Sequence, residues 1–259
     1  MKRIVLWSGL FIFLVGSAGV YFWLRGYPPE AESPAMPEPS SPEPPPIRHP
    51  IETEERTAEP LPELSQSDDA LRDALAGLFG RDLDRYFNLQ DIVHRVVATV
   101  DNLPRDNVSP RLMPVKGPPG QLLTTRSGER LTLNQENAAR YRPYVRLAEA
   151  VPTEALVALY RRFYPLFQNQ YEKLGYPGKY FNDRVVDVID HLLAAPEVDE
   201  PVLLEQPKVL YEFVDPKLEK LSAGQKILIR IGRENAARVK SKLREFREAL
   251  ASNPTPSRK

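Results

Sequence analysis

The chain has 259 residues, 42% of them apolar, with 35 basic and 35 acidic side chains and a formal net charge of zero. That length suffices for a membrane segment and one substantial soluble core, and the neutral balance gives no global bias toward nucleic acid. No cysteine is present, which excludes a disulfide framework, a thiol nucleophile and a thiolate metal site but leaves the redox compartment open.

The N-terminus reads MKRIVLWSGLFIFLVGSAGVYFWLRG. Lys2 and Arg3 precede an apolar run from Ile4 to Leu24 that holds no ionisable group. At 1.5 Å per residue the run reaches about 31 Å, enough to cross a bilayer core. Trp7 near one end and Tyr21 and Trp23 near the other suit the membrane interfaces, and the flanking bases keep the N-terminus cytoplasmic. A cleaved signal peptide is the competing reading, since Gly16-Ser17-Ala18 offers small residues. The run continues six residues past Ala18, longer than a typical signal core, so residues 1–25 read as an uncleaved anchor in the lipid bilayer.

Residues 26–64 hold twelve of the 27 prolines and nine glutamates. Proline lacks an N–H and fixes φ, which disfavours helix and sheet. The expectation is a disordered spacer of polyproline II character, stiffened by glutamate repulsion. A proline-rich ligand for a groove-binding domain is the alternative.

Order is expected from Ser65 to Leu250, in one mainly α domain with a small β-hairpin. Ser and Asp caps followed by Leu71, Leu75, Leu78 and Phe79, with Gly80 as a stop, predict the first helix. A second helix is expected from Asp82 to Asn102, ended by Pro104. A proline-rich loop follows. Leu122–Thr125 and Glu129–Leu133 around Ser127-Gly128 then read as the hairpin. Asn134 can cap a helix through Tyr141, and Pro143 is placed at the first turn of another. PTEALVALYRRFYPLFQNQYEKLG gives the longest helical pattern, with an aromatic stripe that fits a central core helix better than a cofactor platform. Pro165 inside it is expected to kink it. VLLEQPKVLYEFVD suggests short extended segments, Asp215-Pro216 a short helix, and Ser222 to Gln225 a capping box. A last helix runs from Glu234 to Leu250, and residues 251–259 read as a loose tail.

The stretch YFNDRVVDVIDHLL, residues 180–193, concentrates chemistry. On a helical wheel Asp183, Asp187, Asp190 and His191 share one arc, and the valines, isoleucine and leucines fill the opposite one. An ordinary amphipathic helix produces that division, with Asn182 or Asp183 as N-cap. The same spacing suits a cation: carboxylates on neighbouring turns can share Mg²⁺ or Ca²⁺, and His191 can add a nitrogen ligand for a transition metal. Either reading stays open at this stage, with His94 and Glu172 as guesses for a ligand from another element. Tyr176, Tyr180 and Phe181 surround the Pro177-Gly178 turn and are candidates for partner contact, or for plugs of the core beneath it. Residues 226–259 hold ten bases and three acids, which scatter around the last helix as solubilising residues or could meet anionic lipid.

No phosphate-binding glycine loop, paired-histidine zinc motif or G-x-S-x-G elbow occurs, so no cofactor is implied. The segments VATVDNLPR, RLMPVKGP, LYRRFYPLFQNQYEKLGYP, YFNDRVVDVIDHLLAAPEV and QPKVLYEFVDPKLEKLSAGQKILIRIG, taken with the anchor and spacer, resemble a bacterial envelope family, domain of unknown function 3014, over about Leu64 to Leu250. The resemblance implies a single-pass protein of the Gram-negative inner membrane with its C-terminal domain in the periplasm, and implies no activity. The expected role is a binding or scaffolding module for an envelope protein or cell-wall partner. The alternative is a metal-assisted hydrolase built on the aspartate and histidine face.

Overall fold

In the computed structural model, residues 46–51 and 60–251 are described. The chain divides into two compact units, Met1–Glu43 and Pro44–Lys259, and every described residue belongs to the second. The anchor from Ile4 to Leu24, most of the spacer and the tail beyond Ala251 lie outside the described residues. Among the described residues no helix is long and apolar enough to cross a membrane.

The domain is mainly helical. In chain order the helices are α1 Ser67–Phe79, α2 Leu83–Tyr86, α3 Ile92–Asn102, α4 Glu136–Ala150, α5 Thr153–Lys173, α6 Phe181–Leu193, α7 Pro216–Glu219, α8 Ala223–Arg230 and α9 Arg233–Ala251. The strands are β1 Thr124–Ser127, β2 Arg130–Leu133, β3 Leu203–Glu205 and β4 Glu212–Phe213.

The core is organised around α5. Val157, Tyr160, Phe163, Tyr164, Leu166, Phe167 and Tyr171 recur at helical spacing, and all are buried. Helices α1, α3, α6 and α9 pack against that stripe. Leu71, Val93, Val97, Val186 and Leu250 complete one contiguous cluster with it. Burial of a side chain such as Phe163 contributes about 1.5–3 kcal/mol. The aromatic stripe is therefore core: Tyr160 stacks on Phe167 at 5.6 Å between ring centroids and meets Phe246 of α9 edge-on at 6.0 Å. Pro165 sits inside a helix assigned as one element from Thr153 to Lys173.

The first strand of the hairpin lies two residues later than the expected Leu122–Thr125, and the hairpin is part of a larger sheet. Strands β1 and β2 pair with Ser127 opposite Arg130, and Gly128 takes the left-handed φ of 60° that the tight turn requires. The short segments read after residue 200 add to its far side, giving one antiparallel sheet in the order β1-β2-β3-β4. Leu131, Leu204 and Phe213 stand in register across three strands and bury a second cluster with Ile229 of α8.

Three further expectations are corrected. Residues 82–102 do not form one helix. After α2 the chain pairs with the proline loop through an antiparallel bridge between Phe87 and Val115. It then turns at Asp91, whose φ is 51°. Asp68 of α1 fixes that turn, accepting from the Asp91 N–H at 2.7 Å and the Ile92 N–H at 2.9 Å, so the start of α3 is capped from another helix. Pro143 does not start a helix but lies within α4. Order also begins before Ser65: Leu61 and Leu64 pack on the main core, and so does Ile51, well inside the expected spacer. By contrast the Ser222 capping box, with its Gln225 partner, is present as read, and α8 gives way to α9 at Gly232, where φ is 88°.

Candidate functional site

Helix α6 starts where the Pro177-Gly178 turn delivers Tyr180 in an extended conformation, φ −92° and ψ 121°. Its first amides are satisfied by α5 rather than by a local cap. The Gln168 Oε1 accepts the Phe181 N–H at 2.8 Å, and the Tyr164 hydroxyl accepts the Asn182 N–H at 3.2 Å. Neither Asn182 nor Asp183 is the N-cap, and this frees their side chains for another partner.

That partner is the chain's own segment 46–51. The Asp183 carboxylate accepts from two successive backbone amides, Arg48 at 3.0 Å and His49 at 2.7 Å. Asn182, fully buried, donates through Nδ2 to the His49 carbonyl at 2.9 Å. The Tyr160 hydroxyl holds the Asn182 amide oxygen from behind at 3.2 Å. One residue before α6, the Tyr180 hydroxyl accepts the Ile51 N–H at 2.8 Å. Asp187, one turn further, takes the Arg48 guanidinium at 2.6 Å.

The other two candidates point elsewhere. Asp190 accepts both ends of the Arg247 guanidinium fork from α9. That pairing lowers the Asp190 pKa below the usual carboxylate value and raises that of Arg247. His191 bonds through Nε2 to the Ser222 hydroxyl at 2.8 Å, and the Gln225 amide returns to the His191 carbonyl at 3.0 Å. The end of α6 is thereby locked to the capping box of α8. The four residues share an arc of one helix but diverge to three different partners. Among the described residues no group of three or more His, Asp or Glu side chains is placed to hold a metal ion. His94 meets Gln170 at 3.2 Å, and Glu172 accepts from Gln168 at 2.7 Å, so neither approaches the aspartates' arc through these bonds.

The loop aromatics behave mainly as plugs. Phe181 is fully buried between Phe167 and Tyr171. Tyr176 stacks on Tyr171 at 4.6 Å, and Tyr180 lies 5.3 Å from Tyr164. Both are half-buried.

Behind Tyr176 lies a network the sequence reading passed over. Asp101 of α3, 4% exposed at its side chain, receives Arg105 at 2.5 Å, Arg184 of α6 at 3.2 Å and the Tyr176 hydroxyl at 3.1 Å. The pairing of Asp101 with Arg105 at i,i+4 is the one local signal that could have revealed it. The basic residues of α8 and α9 are likewise engaged within the domain: Arg238 with Glu149, Arg233 with Glu197 and Asp199, and Lys226 with Glu219.

Among the described residues the most exposed large apolar side chains lie between β3 and β4, where Val209 is 84% and Leu210 73% exposed. Leu203 and Val214 flank them, each more than 40% exposed.

The family described as Protein of unknown function (DUF3014) matches residues 92–247, from the first residue of α3 to the arginine that holds Asp190. Neither a curated protein nor a solved structure matches the chain.

Proposed function

The chain belongs to the DUF3014 family of proteins of unknown function, and from that premise we propose that it is a single-pass inner-membrane protein whose helical domain serves in the periplasm as a binding or scaffolding module for an envelope protein or cell-wall partner. The apolar run from Ile4 to Leu24 behind Lys2 and Arg3 supports the anchor and its orientation. The carrying observation for the module is the exposed apolar loop at residues 209–210, which joins strands β3 and β4 of the sheet. Neighbouring apolar side chains held this far into solvent favour contact with a partner. The engagement of Asp183, Asp187, Asp190 and His191 with the protein's own groups supports binding over hydrolysis.

A photoreactive residue placed at 209 or 210 in the full chain, expressed in a Gram-negative cell, tests this. The expected result is an adduct with one envelope component, absent when the probe stands at the exposed Arg126 of β1. Adducts of equal yield at all three positions, or none at 209 and 210, contradict it. A reporter fused after Lys259 is expected to be active only as a periplasmic enzyme, and cytoplasmic activity contradicts the orientation.

A further inference from the structure

The contacts between segment 46–51 and α6 have the composition of a ligand-binding site. Tyr180, Asn182, Asp183 and Asp187 supply five polar contacts to it. Four go to backbone groups, present in any sequence, of a segment that bends at Arg48 and His49 and so turns both of their amides toward Asp183. The fifth selects arginine, through the pairing of Arg48 with Asp187. Pro50 falls between His49 and Ile51, where its missing N–H leaves no donor without a partner, and it biases His49 away from helical backbone. Ile51 then packs against the main core. Prolines at 46 and 50 reduce the ordering cost of docking. Asn182 is held from within the domain by the Tyr160 and Tyr164 hydroxyls, which fixes the receptor side independently of the segment.

We infer that Tyr180 and the first two turns of α6 are a peptide-recognition site for a bent Arg-X-Pro-apolar segment, filled reversibly in cis by residues 46–51. Only residues 52–60 separate the docked Ile51 from Leu61, a connection short enough to hold the ligand at an effective concentration in the millimolar range. A competing peptide in trans must overcome that advantage. Docking also changes the geometry of the tether, a consequence that rests on the membrane-anchored reading. Residues 25–45, 21 in number, can span at most about 70 Å. With the segment released, residues 25–60, 36 in number, can span about 120 Å. The site therefore sets how far from the bilayer the domain can act.

The test uses the full chain in detergent and a fluorescein-labelled synthetic peptide of residues 44–53, with binding read by anisotropy. The expected result is weak binding to the wild-type chain and at least tenfold tighter binding to an Arg48→Ala/Ile51→Asp chain, whose own segment no longer fits. Asp183→Asn introduced into that chain is expected to abolish binding, and Asp187→Asn, on the exposed rim, to weaken it. A peptide carrying Arg48→Ala is expected to bind a few-fold more weakly, by at most about fivefold, as befits a half-exposed pair. Equal affinity for all chains, or no binding to the Arg48→Ala/Ile51→Asp chain with its circular dichroism unchanged, overturns the site. The tether is read separately in liposomes. The chain has no native cysteine, so Ser252→Cys carries a single dye, and energy transfer to a membrane acceptor is expected to fall in the Arg48→Ala/Ile51→Asp chain. Unchanged transfer beside normal peptide binding overturns the tether consequence and leaves the site standing.

Discussion

Replacing Asp101 by alanine tests how the two central helices α3 and α6 are joined. The Asp101 carboxylate is 4% exposed and is held by Arg105, Arg184 and the Tyr176 hydroxyl. Truncating one partner of a buried ion pair costs about 3–5 kcal/mol, because the remaining charge is left without compensation. Here the arginines are only partly buried, 28% exposed for Arg184 and 53% for Arg105, and water recovers part of the loss. The expected cost is therefore about 2–3 kcal/mol. At about 2–4 °C per kcal/mol for a domain of this size, Tm falls by about 4–12 °C. The comparison is Asp187→Ala, whose pair with Arg48 is about half exposed on both sides and contributes at most about 1 kcal/mol. Urea unfolding of the full chain, followed by circular dichroism, measures both. A double-mutant cycle with Arg184→Ala isolates the pairwise part. An Asp101→Ala cost no larger than that of Asp187→Ala refutes the reasoning, since burial would then have no bearing on the strength of the pair.

Gly224 lies in the first turn of α8 against Leu103 and Leu192, and a Cβ there would stand 2.5 Å from Leu192 Cδ2 and 3.1 Å from the Leu103 carbonyl oxygen. Overpacking of about 1–3 kcal/mol outweighs a helix-propensity gain of up to about 1 kcal/mol, so Gly224→Ala is expected to lower the urea midpoint. Burial raises the phenol of Tyr171 to about 12 and raises those of Tyr160 and Tyr164 as well. Unfolded tyrosine titrates near about 10. The stability these phenols contribute is present below that pH and lost as pH rises from about 10 toward about 12. Urea midpoints measured across that interval should fall, and less so in Tyr171→Phe. Asp190 has the opposite sign: its folded pKa is depressed, so its contribution is present above about 3.9 and lost as pH falls through the folded value. In Arg247→Met the Asp190 carboxyl, followed by NMR, is expected to titrate at higher pH. Because both side chains are more than a third exposed, stability near neutrality should change by less than about 1 kcal/mol.

The elements legible in the sequence were those specified by nearby residues. The α5 stripe and the amphipathic wheel of α6 follow from spacing alone, the hairpin turn from Gly128, though it is Gly128-Glu129 and not Ser127-Gly128, and the start of α8 from Ser222 and Gln225. What sequence did not reveal depends on distant partners. The pairing of β3 with β2 joins Leu204 to Leu131. The interruption at Phe87 to Asp91 needs Val115 on one side and Asp68 on the other. The candidate site shows the same division. The wheel placed Asp183, Asp187, Asp190 and His191 on one arc correctly, but helical geometry says nothing of what faces that arc. Two of the four meet residues 46–51, more than 130 positions earlier, in a proline-rich stretch that composition alone reads as spacer. Asp190 and His191 meet α9 and the cap of α8, which the fold brings alongside.

The central claim is that the polar face of α6 is occupied by peptide and side-chain partners and not by an ion. Isothermal titration of Mg²⁺, Ca²⁺, Mn²⁺ and Zn²⁺ into the purified full chain, beside an Asp187→Asn/Asp190→Asn variant, tests it most directly. The account predicts no micromolar binding that depends on these two carboxylates. Micromolar affinity for any of the four ions that disappears in the variant would contradict the account and make the face a metal site.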